Sequence, residues 1–134
     1  KWRDEAKIFV SVRDLKYMLK GGRVSGTKGM IAKFLGLNPV ISMAPDGTSM
    51  LFGKTFSQQS SLKKIFNHIS KISKGKKIWN YVVLHAHNEE GAAETAKKME
   101  EITGRKPLSL INISPVIGMH AGLGANAIAL LYEN

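Results

Sequence analysis

The chain has 134 residues, of which 43% are hydrophobic, so it is long and apolar enough for one domain with a buried core and is not a disordered polymer. It contains no cysteine, which excludes disulfide frameworks and thiolate chemistry and suits a cytoplasmic protein. Twenty Lys and Arg against ten Asp and Glu give a formal charge of +10, which favours acidic partners. Apolar runs such as residues 78–84 are too short to span a bilayer, so no integral membrane insertion is expected.

The first elements are a predicted strand and a predicted helix. Residues 8–12 form a short β-prone run, and Ser11 with Asp14 resembles a capping box that opens a helix. Gly21 and Gly22 are expected to end that helix, since glycine is the usual residue after a helical C-terminus. Its apolar face is formed by Leu15, Met18 and Leu19.

A second short helix and a hairpin are predicted next. Thr27 is a suitable N-cap for the helix and Gly36 is expected to end it. Residues 40–43 and 50–55 are two β-prone runs, and the Pro-Asp-Gly turn at 45–47 between them predicts a hairpin. The inward side chains of the helix are Met30, Ile31, Phe34 and Leu35.

Residues 61–74 carry the clearest helical periodicity of the chain. Gly75 is expected to close this helix, and a buried strand is predicted at 79–84. The apolar positions are Leu62, Ile65, Phe66, Ile69 and Ile72. A run of lysines lies on or just after the helix, without interleaved aromatic residues. It predicts a solvated helix face and no nucleic-acid partner, with a nucleic-acid site as the alternative.

The last third of the chain predicts one more helix and two strands. Asn88 is a good N-cap, and the helix it opens should continue to Gly104. The inner face of this helix is expected to consist of Ala93, Ala96, Met99 and Ile102. Strands are predicted at 108–113 and 127–132, and the second should be central because it is nearly all apolar. The predicted fold class is α/β of the α+β type, with a mixed, largely antiparallel sheet and packed helices.

Three histidines have structural explanations that compete with functional ones. His85 and His87 lie two apart at a strand end and could begin a metal site, but the sequence offers no evident third ligand. We therefore expect local hydrogen bonding and no metal. His68 lies on the lysine-bearing helix and is expected at the surface.

Arg23 lies in a glycine-flanked segment that could approach an anion. A phosphate-loop motif is absent, but an arginine can bind a carboxylate or phosphate through two parallel hydrogen bonds. Ser25 and Thr27 add hydroxyl donors nearby. The alternative is a glycine C-cap, formed by Gly21 and Gly22, followed by an exposed arginine.

His120 lies in a second glycine-flanked segment, which is predicted to be a glycine-rich turn. Gly118, Gly122 and Gly124 surround it. An imidazole there can donate a hydrogen bond to an anion or act as an acid or base. No partner nucleophile or paired carboxylate is evident, so a binding role is preferred and no catalytic residue is expected. An anion could sit between Arg23 and His120.

Three ordered motifs resemble a known family. The segments 15–25, 37–41 and 114–124 resemble, in order and approximate spacing, the C-terminal domain of DegV-family proteins, the fatty-acid-binding subunits of bacterial fatty-acid kinases. The resemblance implies a two-domain carrier with the acyl chain in an apolar tunnel and the carboxylate near the domain interface. It also implies that residues 1–134 are one C-terminal domain, a fragment of a longer chain whose N-terminal domain is missing here.

The same resemblance implies roles for particular residues. Arg23, Ser25 and His120 would bind the fatty-acid head group. The glycine turns that shape the site would be those of Gly21, Gly22, Gly118, Gly122 and Gly124. The ligand would be a fatty acid, with no cofactor. The implied partner is a dihydroxyacetone-kinase-like fatty-acid kinase subunit or domain that phosphorylates the carboxylate, so the carrier itself would not be an enzyme.

The last motif also departs from the family pattern. The family usually carries threonines on both sides of the histidine and a proline between the final glycines, where this chain has Met119, Ala121 and Leu123. The sequence leaves two other functions open. One is a regulatory or docking domain of a dihydroxyacetone-kinase-like fusion protein. The other is a nucleic-acid-binding module, which would bind with steep salt dependence.

Overall fold

A computed structural model describes residues 2–23, 32–33 and 36–133. Within these ranges the chain forms one six-stranded sheet with helices on both faces. None of the described helices is long and apolar enough to cross a membrane. In chain order the elements are α1 Trp2–Glu5, β1 Ala6–Ser11, α2 Lys16–Lys20, β2 Asn38–Met43, β3 Ser49–Thr55, α3 Gln58–Ile72, β4 Ile78–His85, α4 Glu89–Thr103, β5 Leu110–Asn112, α5 Pro115–Ala121 and β6 Asn126–Tyr132.

The strand order across the sheet is β3-β2-β1-β6-β4-β5. All neighbouring pairs are antiparallel except β4 and β5, which are parallel. In the register of β1 with β6, Ala6 pairs with Leu131 and Ser11 pairs with Asn126. The prediction of a mixed, largely antiparallel sheet with a central last strand is confirmed.

One face of the sheet is covered by α3 and α4, which bury the larger of two hydrophobic clusters. Ile65 and Ile69 of α3 and Met99 of α4 are buried against it. The strands contribute Phe9, Val40, Ile78, Tyr81, Val83, Ile128, Leu130 and Tyr132. We call this the helix-covered face.

The opposite face carries a smaller cluster, packed mainly by the short helices α2 and α5. Met18 of α2 and Ala121 of α5 are buried there. The rest of the cluster consists of Val12, Leu15, Ile41, Ala86 and Ala125. Farther along this face, Val82 and Leu131 are only partly buried. We call this the open face.

The predicted capping box before α2 is wrong. Ser11 is the last residue of β1 and is held in the sheet opposite Asn126, so its hydroxyl does not cap a helix. Instead, a carboxylate oxygen of Asp14 accepts a hydrogen bond from the backbone N–H of Lys16 at 2.9 Å. The predicted helix after Thr27 lies outside the described residues except for residues 32–33, of which residue 32 is helical.

The hairpin of β2 and β3 is as predicted, one to two residues longer at its ends. Gly47 of its turn has φ 89°, a conformation that favours glycine. Asp46 accepts hydrogen bonds from the Thr48 backbone N–H at 2.9 Å and from its hydroxyl at 2.7 Å. These bonds lower the pKa of the Asp46 carboxyl.

The two long helices are confirmed with shifted details. α3 begins three residues before the predicted start because Ser57 serves as its N-cap, accepting from the Ser60 backbone N–H at 3.1 Å. α4 begins after Asn88, as predicted, and ends at Gly104 in the left-handed conformation. Its inner face was partly misassigned: Ala93 is exposed, and the buried side chains are Ala92, Thr95 and Met99.

The predicted strands 79–84 and 108–113 differ in extent and burial from the structure. Asn80, Val82 and Leu84 are only partly buried, whereas Tyr81 and Val83 between them are buried, so β4 is covered fully on one side only. Trp79, which is 47% exposed, lies at a register shift in the pairing of β4 with β6, between Ile78 and Asn80. β5 spans only three residues, which pair in parallel with β4 at the edge of the sheet.

Candidate functional site

A cavity of about 240 Å³ lies on the open face. Its walls are mainly apolar, with Ile8 and Val10 from β1 and Ile41 from β2. Successive side chains of a strand point to opposite faces, so Ile8 and Val10 line the cavity while Phe9 between them belongs to the helix-covered core. Met18 of α2 also lines the cavity.

Arg23 and His120 both line this cavity, although they are far apart in the sequence. The backbone N–H of Arg23 donates to the carbonyl of Met18 at 2.9 Å, which holds the residue just after α2. One guanidinium nitrogen, Nη1, donates to the carbonyl of Gly21 at 3.3 Å. A guanidinium has five N–H donors, so the exposed Arg23 side chain keeps most of its donors for a ligand.

The prediction that His120 lies in a glycine-rich turn is wrong, because Pro115–Ala121 form the helix α5. Ser114 is its N-cap, and proline at the first helical position is favourable because its missing N–H would be unpaired there anyway. His120 is in the last turn, and Gly122 follows the helix. The His120 Nδ1 atom is buried without a hydrogen-bond partner among the described residues.

The glycines predicted to shape the site differ in what they do. Gly22, Gly122 and Gly124 have φ of 67°, 80° and 81°, so their backbone conformation favours glycine. Gly21 has an ordinary φ of −81° but lies against the His120 ring. Gly118 does not form a turn; it lies inside α5, where an added Cβ would make only ordinary contacts with Ile113.

The hydroxyl predicted for the site and those found at the cavity are different residues. Ser25 lies outside the described residues. Ser42 and Ser49 line the cavity and had not been singled out in the sequence. The Ser42 hydroxyl donates to the carbonyl of Ile8 at 2.7 Å, so its proton is used within the sheet. The alternation of apolar residues at 8, 10 and 12 was the sequence signal that could have indicated a cavity wall.

The remaining histidines occupy structural positions. His85 is buried, and its Nδ1 accepts a hydrogen bond from the backbone N–H of Asn88 at 3.2 Å, as local hydrogen bonding predicts. The backbone N–H of His87, which lies beyond the strand, donates to a side-chain oxygen of Asn112 at 3.1 Å. Within the described part of the chain, no three His, Asp or Glu side chains are grouped so that they could hold a metal.

The expectation that His68 lies at the surface is wrong. Its ring is half-buried and packs edge-on against Phe9 and Phe52, with ring centroids 5.3 Å and 4.6 Å away. Burial, with a smaller contribution from the positive charge of Lys71, lowers the pKa of His68.

The lysine run is largely a solvated surface. Lys63, Lys64 and Lys71 are exposed on α3, as predicted. Lys76 and Lys77, beyond the helix, form ion pairs with Glu5 and Glu133 respectively. These pairs hold residues before β4 against both ends of the described chain.

Comparison with protein families gives one match over nearly the whole chain. A model of the DegV family matches residues 1–133. A DegV domain-containing protein of Clostridium acetobutylicum is 31% identical over 132 residues, which cover 98% of this chain and 47% of that protein. A DegV domain-containing protein of Mycoplasmopsis pulmonis is 33% identical over 131 residues, covering 97% and 44%. The chain thus spans about half the length of these relatives.

Solved structures with the same fold come from the same family. A fatty acid binding DegV family protein from Streptococcus agalactiae superposes with a TM-score of 0.85 at 21% identity, over 98% of this chain and 46% of that one. A DegV family protein from Eubacterium eligens, loaded with heptadecanoic acid, gives a TM-score of 0.77 at 19% identity, over 97% and 46%. At these identities the likeness establishes the fold.

Proposed function

Because the chain belongs to the DegV family, we propose that it forms part of a fatty-acid-binding protein and holds the carboxylate of the acid between Arg23 and His120. The observation that carries the proposal is that these two residues, distant in sequence, line one apolar cavity. An apolar cavity with a cation and an imidazole at its wall matches an amphipathic anion. It fits a nucleotide or a polar metabolite poorly.

The energetics of such a ligand divide between tail and head. Each methylene transferred from water to an apolar wall contributes about 0.8 kcal/mol, so most of the affinity comes from the acyl chain. The carboxylate must lose part of its hydration, which charge-assisted hydrogen bonds from Arg23 and His120 would offset, at roughly 1.5–3 kcal/mol each. In this proposal the head-group residues select an acid over other lipids.

The test is stearate binding by the whole protein, measured by titration calorimetry. Arg23→Ala or His120→Ala should weaken binding about tenfold or more, and Arg23→Lys should recover only part of the loss because lysine lacks the planar fork. Arg105→Ala and His87→Ala are matched controls, because neither residue lines the cavity. Stearyl alcohol should respond little to any of these changes. Wild-type affinity for stearate in both Arg23→Ala and His120→Ala would refute the head-group assignment.

We also propose that a further domain completes the binding unit. A cavity of about 240 Å³ is smaller than the roughly 300–1,000 Å³ typical of ligand pockets. Four apolar side chains on and just after α5, namely Val116, Ile117, Met119 and Leu123, are 57–71% exposed. Such a patch is typical of a covered surface. The 134 residues alone should therefore bind stearate more weakly than the whole protein, and equal affinity would refute this proposal.

The family resemblance supports a finer role, which we propose as well. A dihydroxyacetone-kinase-like partner would transfer the terminal phosphoryl group of a nucleoside triphosphate to a carboxylate oxygen of the bound acid, giving an acyl phosphate and a nucleoside diphosphate. The carrier would contribute orientation of the carboxylate rather than chemistry. Acyl phosphate formation with the purified kinase should then fall in Arg23→Ala, and formation at the same rate without the carrier would exclude the role.

A further inference from the structure

Helices α2 and α5 contact each other through two rings and two glycines. The His120 ring, in the last turn of α5, lies against Gly21, the residue after α2. The Tyr17 ring, in α2, lies against Gly122, the residue after α5. Each helix thus presents one ring to the glycine that ends the other.

Gly21 is required at its position by space and not by backbone conformation. Its φ of −81° and ψ of −1° are accessible to any residue. A Cβ added to Gly21 would overlap Nδ1 of His120, and would lie 2.5 Å from Cε1 and 3.3 Å from Cγ of the same ring. Gly22 is the opposite case, because its φ is 67° but an added Cβ would have nothing within 4 Å.

We propose that Gly21 is a positioning residue for ligand binding: its missing side chain is the space that the His120 imidazole occupies beside Arg23. The inference rests on the proposed function, because it concerns how the carboxylate-binding histidine is held. Gly21 also accepts the hydrogen bond from Nη1 of Arg23, so one backbone residue contacts both head-group side chains.

The contact also determines which ring nitrogen faces a ligand. Nδ1 of His120 is buried against Gly21 and has no hydrogen-bond partner among the described residues. Nε2 is therefore the ring nitrogen left for a carboxylate in the cavity that His120 lines. A side chain at Gly21 would turn the imidazole and move Nε2 away from that place.

The second ring contact fixes the distance between the two helices. At Gly122 an added Cβ would lie 2.5 Å and 2.9 Å from two carbons of the Tyr17 ring. Tyr17 lies in α2, one turn before Gly21, and the Gly21 backbone N–H donates to the Tyr17 carbonyl at 3.0 Å. Displacement of the Tyr17 ring would therefore also shift the His120 ring, and displacement of the His120 ring would shift the Tyr17 ring.

The experiment is a double-mutant cycle on stearate binding by the whole protein. Gly21→Ala should weaken binding roughly tenfold, the effect of losing one charge-assisted hydrogen bond. In the His120→Ala background the overlap is gone, so Gly21→Ala should change affinity less than about twofold. Gly104→Ala is the matched control: the φ of Gly104 is 71° and an added Cβ would have nothing within 4 Å, so the change strains the backbone and lowers stability away from the cavity but should leave stearate affinity within about twofold of wild type.

A second readout does not depend on binding. The imidazole NMR signals of His120 should move in Gly21→Ala and stay in place in Gly104→Ala. If Gly21→Ala weakens binding equally with and without the His120 imidazole, or leaves the His120 signals unchanged, the positioning role is wrong. If His120→Ala itself binds stearate normally, the proposed function fails, and unchanged or moved signals in Gly21→Ala still decide whether Gly21 places the ring.

Discussion

The two faces of the sheet are built differently from the same strands. On the helix-covered face, two 15-residue helices pack on the sheet, and large side chains such as Tyr81 of β4 and Ile65 and Ile69 of α3 are fully buried between them and the strands. On the open face, two helices of five and seven residues pack with small residues such as Ala121 and Ala125. The first face can supply most of the folding free energy, which leaves the second free to keep a cavity.

The contrast explains why an empty space is tolerated beside the binding residues. Interiors are close-packed, and a void forfeits the contacts of the side chains around it. Here the side chains that line the cavity belong largely to strands whose opposite face is packed in the helix-covered core. Stability and binding should therefore respond to different residues, even to neighbours in one strand.

The largest expected effect is the loss of stability when Phe9 is replaced. Phe9 contacts Phe52 on the helix-covered face, with ring centroids 5.1 Å apart. Phe9→Ala should lower the free energy of unfolding by about 3–5 kcal/mol, measured by denaturant titration. Its neighbour Val10 faces the cavity, so Val10→Ala should cost about 1 kcal/mol or less. Equal losses in the two variants would contradict the division between the faces.

Filling the cavity tests the same division from the binding side. Val10→Phe adds a ring on the cavity wall and should weaken stearate binding about tenfold or more, while leaving the midpoint of denaturation nearly unchanged. Trp79→Phe, on a part of β4 that does not line this cavity, should leave stearate affinity unaltered. Undiminished affinity in Val10→Phe would mean that the ligand lies elsewhere.

A smaller effect is expected where α4 meets the turn before β6. The Asn88 side chain accepts from the Gly91 backbone N–H at 3.3 Å and donates to the carbonyl of Gly124 at 3.1 Å. Asn88→Ala should lower the free energy of unfolding by about 1 kcal/mol, the usual cost of a lost cap. Asn88→Asp keeps the cap but loses the donor, so its thermal midpoint should fall between those of Asn88→Ala and wild type.

The smallest expected effect is a pH dependence from His68. Burial lowers the pKa of His68 in the folded protein, whereas the unfolded chain has the ordinary histidine pKa of about 6.5. Below pH ~6.5 the unfolded state therefore binds more protons than the folded state. The contribution of His68 to the free energy of unfolding should be fully present above pH ~6.5 and should be lost as the pH falls from there through the lowered pKa. His68→Leu should lose less stability than wild type between pH 7.5 and 5.5. Identical slopes in chemical denaturation would exclude this contribution.

Much of the fold could be predicted from local patterns. The periodicity of α3, the apolar run of β6 and the turn at Asp46 and Gly47 each depend on neighbouring residues alone, and the structure confirms all three elements. Ser11 failed as a cap because its place is decided by pairing with Asn126 at the far end of the chain. No local pattern contains that information.

The candidate site was harder to predict for two reasons. The glycines around His120 indicated a turn, although the Ser114-Pro115 pair before them is a helix-start signal and a helix is what forms there. The alternation in β1 separates Phe9 from Val10, but it does not indicate which face is covered by large helices. His68 was misplaced because lysines on one side of a helix do not reveal rings that approach it from β1 and β3.

The position of β6 has a consequence for synthesis of the protein. Among the described residues it is the last of six strands to be made, yet it pairs with both β1 and β4 and is the strand that joins the two halves of the sheet. The pairing of Ala6 with Leu131 spans nearly the whole chain, and such distant contacts are slow to form. Until β6 has left the ribosome, β1 and β4 each carry an unpaired edge that β6 pairs in the finished sheet. Unpaired strand edges can pair with other chains, so we expect a greater risk of aggregation in that interval than in the finished sheet.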